Sequence, residues 1–337
     1  MSPRVSIVIV AFRSGPALAR CLDSLEWQDE ELEVIAVDNG AVDDEISRAA
    51  ARSRVRVVSP GGNAGFAAGC NAGARVARGD VLLFLNPDTV VGDGAVRELA
   101  DTVDDPTVGI AMPRLRLLDD PGTLNSSGNV VHVAGFGWAG GHGERVNGTG
   151  PVGDVPYATG AALAIRARVF AELGGFTDEL FLYHEDLELG WRARLSGLRV
   201  VVNPRADVFH DYEFSRNRLK RYYLERNRLV FVLSAYSGRT LALLAPVLIG
   251  AEVAMAALAA REGWLREKTA GWRWLARNAR WLARHRTETQ AMRRVSDRAL
   301  AAHLTPKLDP AMIEAPAVVA PLNRLVSGYW SLARRAL

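Results

Sequence analysis

Two rhythms of apolar and polar residues alternate along the first half of the chain. The apolar runs "VSIVIVAF" (5–12), "LEVIAVDNG" (32–40), "VRVVSP" (55–60) and "DVLLFLNPDT" (80–89) each end in polar or turn residues and predict buried strands. Helical spacing lies between them. "ALARCLDSLEW" puts Leu18, Cys21, Leu22 and Leu25 on one face. "AGFAAGCNAGARVARG" carries Gly65, Gly69 and Gly73 at every fourth position, which lets a helix approach a sheet closely. Apolar strands alternating with helices predict a Rossmann-like α/β fold, its central sheet mainly parallel and covered on both faces. Ligands of such sheets bind beyond the carboxyl ends of the strands. Ala11-Phe12-Arg13, Asp38-Asn39 and Asn86-Pro87-Asp88 all fall at strand ends, so one site is expected to collect them.

Residues 116–158 break the rhythm with a Gly-rich, irregular stretch, which predicts a long functional or mobile loop. Asn125-Ser-Ser and Asn147-Gly-Thr match the glycosylation pattern, but no secretory signal precedes them and they read as plain loop residues. "ATGAALAIRARVFAELGGF" predicts a strand and a short helix. "FLYHEDLELGWRARLSG" (181–197) predicts a helix whose mouth carries His184, Glu185 and Asp186, and "LRVVVNP" and "ADVFHDY" follow as extended segments.

The pattern changes near residue 214, where a boundary is expected between a domain at 1–213 and a helical region at 214–337. "SRNRLKRYYLERNRLVFVL" is a basic helix. Residues 240–260 are apolar on nearly all sides, interrupted by Pro246 and Glu252. "GWRWLARNARWLARH" gathers Gly271, Trp274, Leu275, Asn278, Trp281, Leu282 and His285 on one face with arginines elsewhere. Charge follows the same division. The chain's net charge of +3 splits into −11 over residues 1–213 and +14 over 214–337. A basic, Trp-bearing region suits an anionic membrane surface, against the competing reading of a helical subdomain with a buried central helix. A single crossing of the bilayer is disfavoured, because basic segments flank the apolar stretch on both sides. The 337 residues allow one large α/β domain with an appendage. Cys21 and Cys70 read as core thiols of a reducing compartment.

The candidate chemistry is ambiguous residue by residue. A carboxylate at Asp88, ending an apolar strand, can bind a divalent cation that bridges a diphosphate, or it can cap a turn. Asp38 can hydrogen-bond a nucleotide base or make an Asx turn. Asn63 to Asn71 opens a helix whose N-terminus would attract phosphate, yet no dinucleotide or P-loop glycine pattern occurs. Glu185 and Asp186 can be a helix cap, or an adjacent pair that raises one pKa and yields a general base. His210 acquires a role only if the fold brings it to Asp88.

Taken in order, "VSIVIVAF", "VDNGAVD", "NAGFAAGCNAG", "LLFLNPDT", "GGFTDELFLYHEDLELGWR" and "ADVFH" resemble an inverting, nucleotide-sugar-dependent glycosyltransferase of the GT-A fold, in the bacterial rhamnosyltransferase-like branch of the large family 2. The resemblance spans roughly residues 4–235. It implies that Asp88 ligates Mg²⁺ or Mn²⁺ with His210, and that Asn86 contacts the donor. It implies a nucleotide-sugar pocket from Ala11, Phe12, Arg13, Asp38, Asn39, Asn63, Gly65 and Phe66. Asp186 becomes the catalytic base with Glu185 in reserve, and Arg192 an arginine facing a phosphate. Thr177 departs from the acid frequent at its position. The implied donor is dTDP- or UDP-linked, with dTDP-rhamnose first. The implied acceptor is a saccharide or polyprenyl-linked saccharide of cell-surface polysaccharide synthesis, reached from the cytoplasmic face of the membrane, with no role for nucleic acid. A metal-dependent nucleotidyltransferase is the competing enzyme, but it has no use for the Glu185-Asp186 pair. A non-catalytic sugar binder is the competing non-enzyme.

Overall fold

The computed structural model describes residues 3–28, 31–41, 44–212, 217–309 and 316–337. The chain divides into two compact units, the first comprising residues 1–129, 139–193 and 198–214, the second 130–138, 194–197 and 215–337.

The first unit begins with β1 (Val5–Ala11), α1 (Pro16–Leu25), β2 (Leu32–Asp38), α2 (Glu45–Ala50), β3 (Val55–Val58), α3 (Gly65–Ala74) and β4 (Val81–Leu85). All seven residues of β1 and all five of β4 are buried, as unbroken apolar runs require. β3, β2, β1 and β4 are parallel neighbours. The face Leu18, Cys21, Leu22 and Leu25 of α1 is buried, as its spacing predicts. The small-residue face of α3 serves close approach. A Cβ on Gly69 would sit 2.8 Å from Val10 Cγ1, and one on Gly73 would meet the Val8 side chain.

The chain continues with β5 (Thr89–Val91), α4 (Ala95–Asp104), β6 (Val108–Leu117) and β7 (Leu124–Ser126), then β8 (Asn129–His132) and β9 (Gly137–Ala139), which fall mostly in the second unit, and, back in the first, β10 (Gly153–Asp154), β11 (Ala162–Arg166), α5 (Ala167–Glu172), α6 (Glu185–Leu195) and β12 (Arg199–His210). The main sheet runs β10-β12-β6-β11-β4-β1-β2-β3, with β5 and β7 pairing β12 and β6. β11 enters its middle antiparallel to both neighbours. The long loop expected at 116–158 is instead punctuated by β7 to β10. β7 and the start of β8 are buried, so Asn125 is an interior strand residue.

The second unit contains α7 (Arg218–Ala235), α8 (Gly238–Arg261), α9 (Leu265–Arg277), α10 (Ala279–Ala291), α11 (Asp297–Ala301), β13 (Leu304–Thr305) and α12 (Pro316–Ala333), with β13, β8 and β9 forming a small sheet. Its center is ionic. The carboxylate of Glu225 on α7 meets Arg228 Nη2 at 3.0 Å and also pairs with Lys268 Nζ of α9. Glu252 of α8 lies 2.9 Å from Lys268 Nζ, pairs with Arg228, and accepts from Trp272 Nε1 at 2.8 Å. Lys268 and Arg228 are each 1% exposed, so the two cations are desolvated, and the two carboxylates make the quartet internally neutral.

The Trp/Arg stripe does not face outward as expected. α9 and α10 pack on α7, and Arg226 of α7 lies over the Trp274 ring at 4.5 Å. Trp281 stacks on the buried His285 at 5.1 Å. Gly271 to His285 is therefore a packing face, while Arg273, Arg277, Arg280 and Arg284 are exposed. An exposed apolar surface lies on α8, which is long and apolar enough to cross a membrane. Pro246, Ile249, Val253 and Ala257 form an exposed stripe along it.

Candidate active site

Strand ends bring the candidate residues together. β1 and β2 end at the paired residues Ala11 and Asp38, and β4 ends beside them. Asp38 Oδ1 accepts from the backbone of Gly40 and Ala41 at 3.2 and 3.1 Å, an Asx turn. Asn39 is buried and its amide is spent on structure. Its Oδ1 accepts from Ala64 N at 2.8 Å and its Nδ2 donates to Gly65 O and Asn63 Oδ1 at 3.3 Å. Asn39 thus ties the β2 end to the mouth of α3, and Asn63 Oδ1 accepts from Gly65 N at 3.0 Å. Phe12 is exposed beside Gly40, with the Arg13 guanidinium 5.4 Å over its ring.

The antiparallel pairing of β5 with β12 sets Thr89 opposite His210, and Asp211 N donates to Asp88 O at 2.9 Å. This pairing carries His210 Nε2 to 3.4 Å from Asp88 Oδ1. That oxygen is buried and, among the described residues, has no hydrogen-bond partner. His210 Nδ1 donates to Asn125 Oδ1 at 2.9 Å. No group of three His, Cys, Asp or Glu residues suited to a metal occurs among the described residues. An oxygen and an imidazole nitrogen facing one another nevertheless fit an open divalent site, whose other positions a diphosphate and water would fill.

The acidic pair lies at the mouth of α6. Asp186 Oδ2 accepts from Gly160 N at 2.8 Å and Oδ1 from Leu187 N at 2.7 Å. Ala161, the next residue after Gly160, accepts from Asn86 N at 2.9 Å, so a single two-residue segment joins the base candidate to the Asn86–Asp88 turn. A Cβ on Gly160 would meet the Phe66 ring at 3.2 Å and Asp186 Cβ at 3.7 Å, which brings Phe66 to the same point.

The two carboxyls differ. Glu185 is 4% exposed and its Oε2 is buried without a partner among the described residues, whereas Asp186 keeps part of its surface open. Burial, then the neighbouring Asp186 charge, pushes the Glu185 carboxyl well above the usual range. Burial raises Asp186 to about 6, against the opposing donation from Gly160 and Leu187. Burial therefore opposes ionisation of Glu185 more strongly than that of Asp186, whose charge the backbone N–H groups favour.

Arg192 is committed to partners within the fold. It is buried, its Nε and Nη2 donate to Glu188 at 2.8 and 2.6 Å, and Nη2 donates to Gly175 O at 2.7 Å. Thr177 Oγ1 donates to the same Glu188 at 3.0 Å. Sequence reading also missed Asn125, Gly160 and Tyr157. Tyr157 is buried, hydrogen-bonded to the Asn129 side chain, and raised by burial and by the nearby Asp186 and Glu185 charges. The motif "LNSSGN" was the available signal for Asn125, hidden by its likeness to a loop.

Comparison with known proteins supplies the family. Residues 6–174 match the model of "Glycosyl transferase family 2". The chain is 28% identical over 271 residues to the N-acetylglucosaminyl-diphospho-decaprenol L-rhamnosyltransferase of Mycobacterium tuberculosis, covering 71% of this chain and 87% of that one. It is 32% identical over 233 residues to the O-antigen biosynthesis protein RfbC of Myxococcus xanthus, covering 64% of this chain and 18% of that protein. Among solved structures, GalNAc-T7 with UDP, GalNAc and Mn²⁺ superposes with a TM-score of 0.58 at 17% identity, over 72% of this chain and 50% of that one. The S. aureus TarS 1-349 complex with UDP gives 0.51 at 16% identity, over 98% and 92%. Sheet order, family model and relatives converge: the chain belongs to glycosyl transferase family 2 and is a glycosyltransferase of the GT-A fold.

Proposed function

We propose that this enzyme transfers a sugar with inversion, rhamnose from dTDP-rhamnose being the first donor to test, to a hydroxyl of a polyprenyl-diphosphate-linked saccharide in cell-surface polysaccharide synthesis. One observation carries the proposal. Gly160 N holds the Asp186 carboxylate while the adjoining Ala161 O holds Asn86 N, so the base candidate and the Asn86–Asp88 turn are tied to adjacent residues of one segment. Asp186 removes the acceptor proton as the oxygen attacks the anomeric carbon from the face opposite the diphosphate. The bond from that carbon to the diphosphate breaks, and its electron pair leaves with the phosphate oxygen. Fixing both substrates in one cleft removes much of the entropic barrier. Burial favours the neutral form of Glu185, which limits the negative charge beside the base.

Asp88 and His210 would hold Mg²⁺ or Mn²⁺, which when bound neutralises charge on the leaving diphosphate. Phe12, Asp38 and the Asn63–Phe66 turn would receive the nucleotide. The acceptor class follows the decaprenol-linked substrate named for the mycobacterial relative. The exposed apolar stripe of α8 and the outward arginines of α9 and α10 support docking on the anionic inner face of the membrane.

Asp186→Asn is the test. Turnover should fall at least 10³-fold while a nucleotide-sugar with Mn²⁺ still raises the melting temperature, as mass action requires. A variant that turns over normally removes Asp186 from the role. A donor panel read the same way identifies the sugar, and dTDP-rhamnose giving no shift would remove it.

A further inference from the structure

Asn125 lies in β7 at 4% exposure, and its side chain does one thing: Oδ1 accepts from His210 Nδ1 at 2.9 Å. A carboxamide oxygen has no proton to give, so the ring proton sits on Nδ1. When the ring carries that proton alone, its lone pair at Nε2 turns toward Asp88 Oδ1, 3.4 Å away. Two electron pairs face each other there, an arrangement that asks for a cation. With the amide turned over, Asn125 Nδ2 would donate to Nδ1, the proton would move to Nε2, and the ring would point a hydrogen at Asp88 instead. The orientation of one amide thus decides whether His210 offers an electron pair.

The turn around Asn125 is built to hold it. Its main-chain oxygen accepts from His142 Nδ1 at 3.2 Å, Ser126 Oγ donates to Asn129 Oδ1 at 2.8 Å, and Gly128 N donates to Ser126 Oγ at 3.2 Å. Asn125 Nδ2 is buried and has no hydrogen-bond partner among the described residues, so Oδ1 is the atom through which its side chain acts. Burial and this bond also rule out Asn125 as a glycan acceptor.

We propose that Asn125 is a positioning residue that locks His210 in the Nδ1–H tautomer and so leaves Nε2, beside Asp88, free to take a divalent cation. The inference rests on the cation role proposed for Asp88 and His210. Metal-bound histidines are commonly set this way by an acceptor on the far nitrogen, and losing that acceptor typically weakens binding about 10–100-fold.

The test uses full-length, metal-free protein with ¹⁵N-labelled histidine, His210 being assigned from a His210→Gln spectrum. Wild type should show a protonated Nδ1 and an unprotonated Nε2. Titration with Mn²⁺ alone, followed by electron paramagnetic resonance of the free ion, should show Asn125→Leu weakened about 10–100-fold. Asn125→Asp, which keeps an acceptor oxygen, should bind at least as tightly as wild type. A wild-type spectrum with the proton on Nε2, or an Asn125→Leu affinity equal to wild type, overturns the proposal. If Asn125→Leu does not fold, the wild-type spectrum and Asn125→Asp decide it. A correct tautomer in a wild-type protein that binds no Mn²⁺ overturns the cation role of Asp88 and His210 and leaves the tautomer assignment standing.

Discussion

At the scale of single residues, Glu185 and Asp186 take different states because one is buried and the other is held by backbone N–H groups with an edge left open. If Asp186 is the base, turnover at saturating donor should fall about tenfold per pH unit below pH 6, where its carboxyl protonates, and should level off above. A profile flat from pH 5 to 8 sinks the assignment. Glu185 has a stability signature of its own. Its carboxyl holds a proton more tightly in the folded chain than in the unfolded one, so its contribution is present below about pH 4 and is lost as pH rises toward the folded pKa. Glu185→Gln, which cannot ionise, should gain on wild type by up to about 1.4 kcal/mol per pH unit above pH 4. Urea melts of both proteins from pH 4 to 8 measure this, and a pH-independent difference would refute it. Asp88, Asp186 and His210 could be named as candidates from strand ends, the acidic pair and the family resemblance, though not the approach of His210 to Asp88. Gly160 and Asn125 could not be named, because a backbone N–H and a far-side acceptor leave no mark in residue type.

Element pairing explains what was missed and what was misread. His210 reaches Asp88 only through the β5–β12 ladder, and Thr89–Val91 is too short for periodicity to reveal. The entry to α6 is backbone under strain: Phe181, Tyr183 and His184 have φ of 63°, 68° and 68°, each costing about 1–3 kcal/mol unless its surroundings hold it. Gly65 helps to hold it. Its φ is +86°, and a Cβ there would sit 2.5 Å from the Phe181 ring and carbonyl. Arg192 was read as facing a phosphate, yet its spacing from Glu188 is that of a helical ion pair. Arg192→Met should strand a buried Glu188 and cost about 3–5 kcal/mol in urea unfolding, while the folded fraction keeps its donor KM. A raised KM with unchanged stability would restore the phosphate reading.

On the scale of the whole molecule, the charge split marked where the chain's character changes, but not that residues 130–138 and 194–197 join the second unit. Nor could composition tell which helix shows an apolar face. The Trp-bearing helices looked suited to lipid, yet Trp274 lies under Arg226 and Trp281 stacks on His285. Glu252 looked like a flaw in the apolar helix, yet it anchors α8 to Arg228 and Lys268. That anchor argues for a helix lying on a bilayer, because a crossing would pull Glu252 away from both cations or carry all of them into hydrocarbon. Along α8, Ile249 is 64% and Val253 65% exposed, and on α12 Leu325 is 72% exposed. Deleting everything after residue 240 would tear out Glu252 and Lys268 and expose the core of the unit, so point changes give the cleaner test. Wild type should float with phosphatidylglycerol vesicles at low salt and dissociate partly as salt screens the arginines. Ile249→Glu with Val253→Glu and Leu325→Glu should stay with the unbound protein while melting normally and turning over a water-soluble acceptor. If wild type remains unbound, or the triple variant floats equally well, α8 is not the surface that meets lipid.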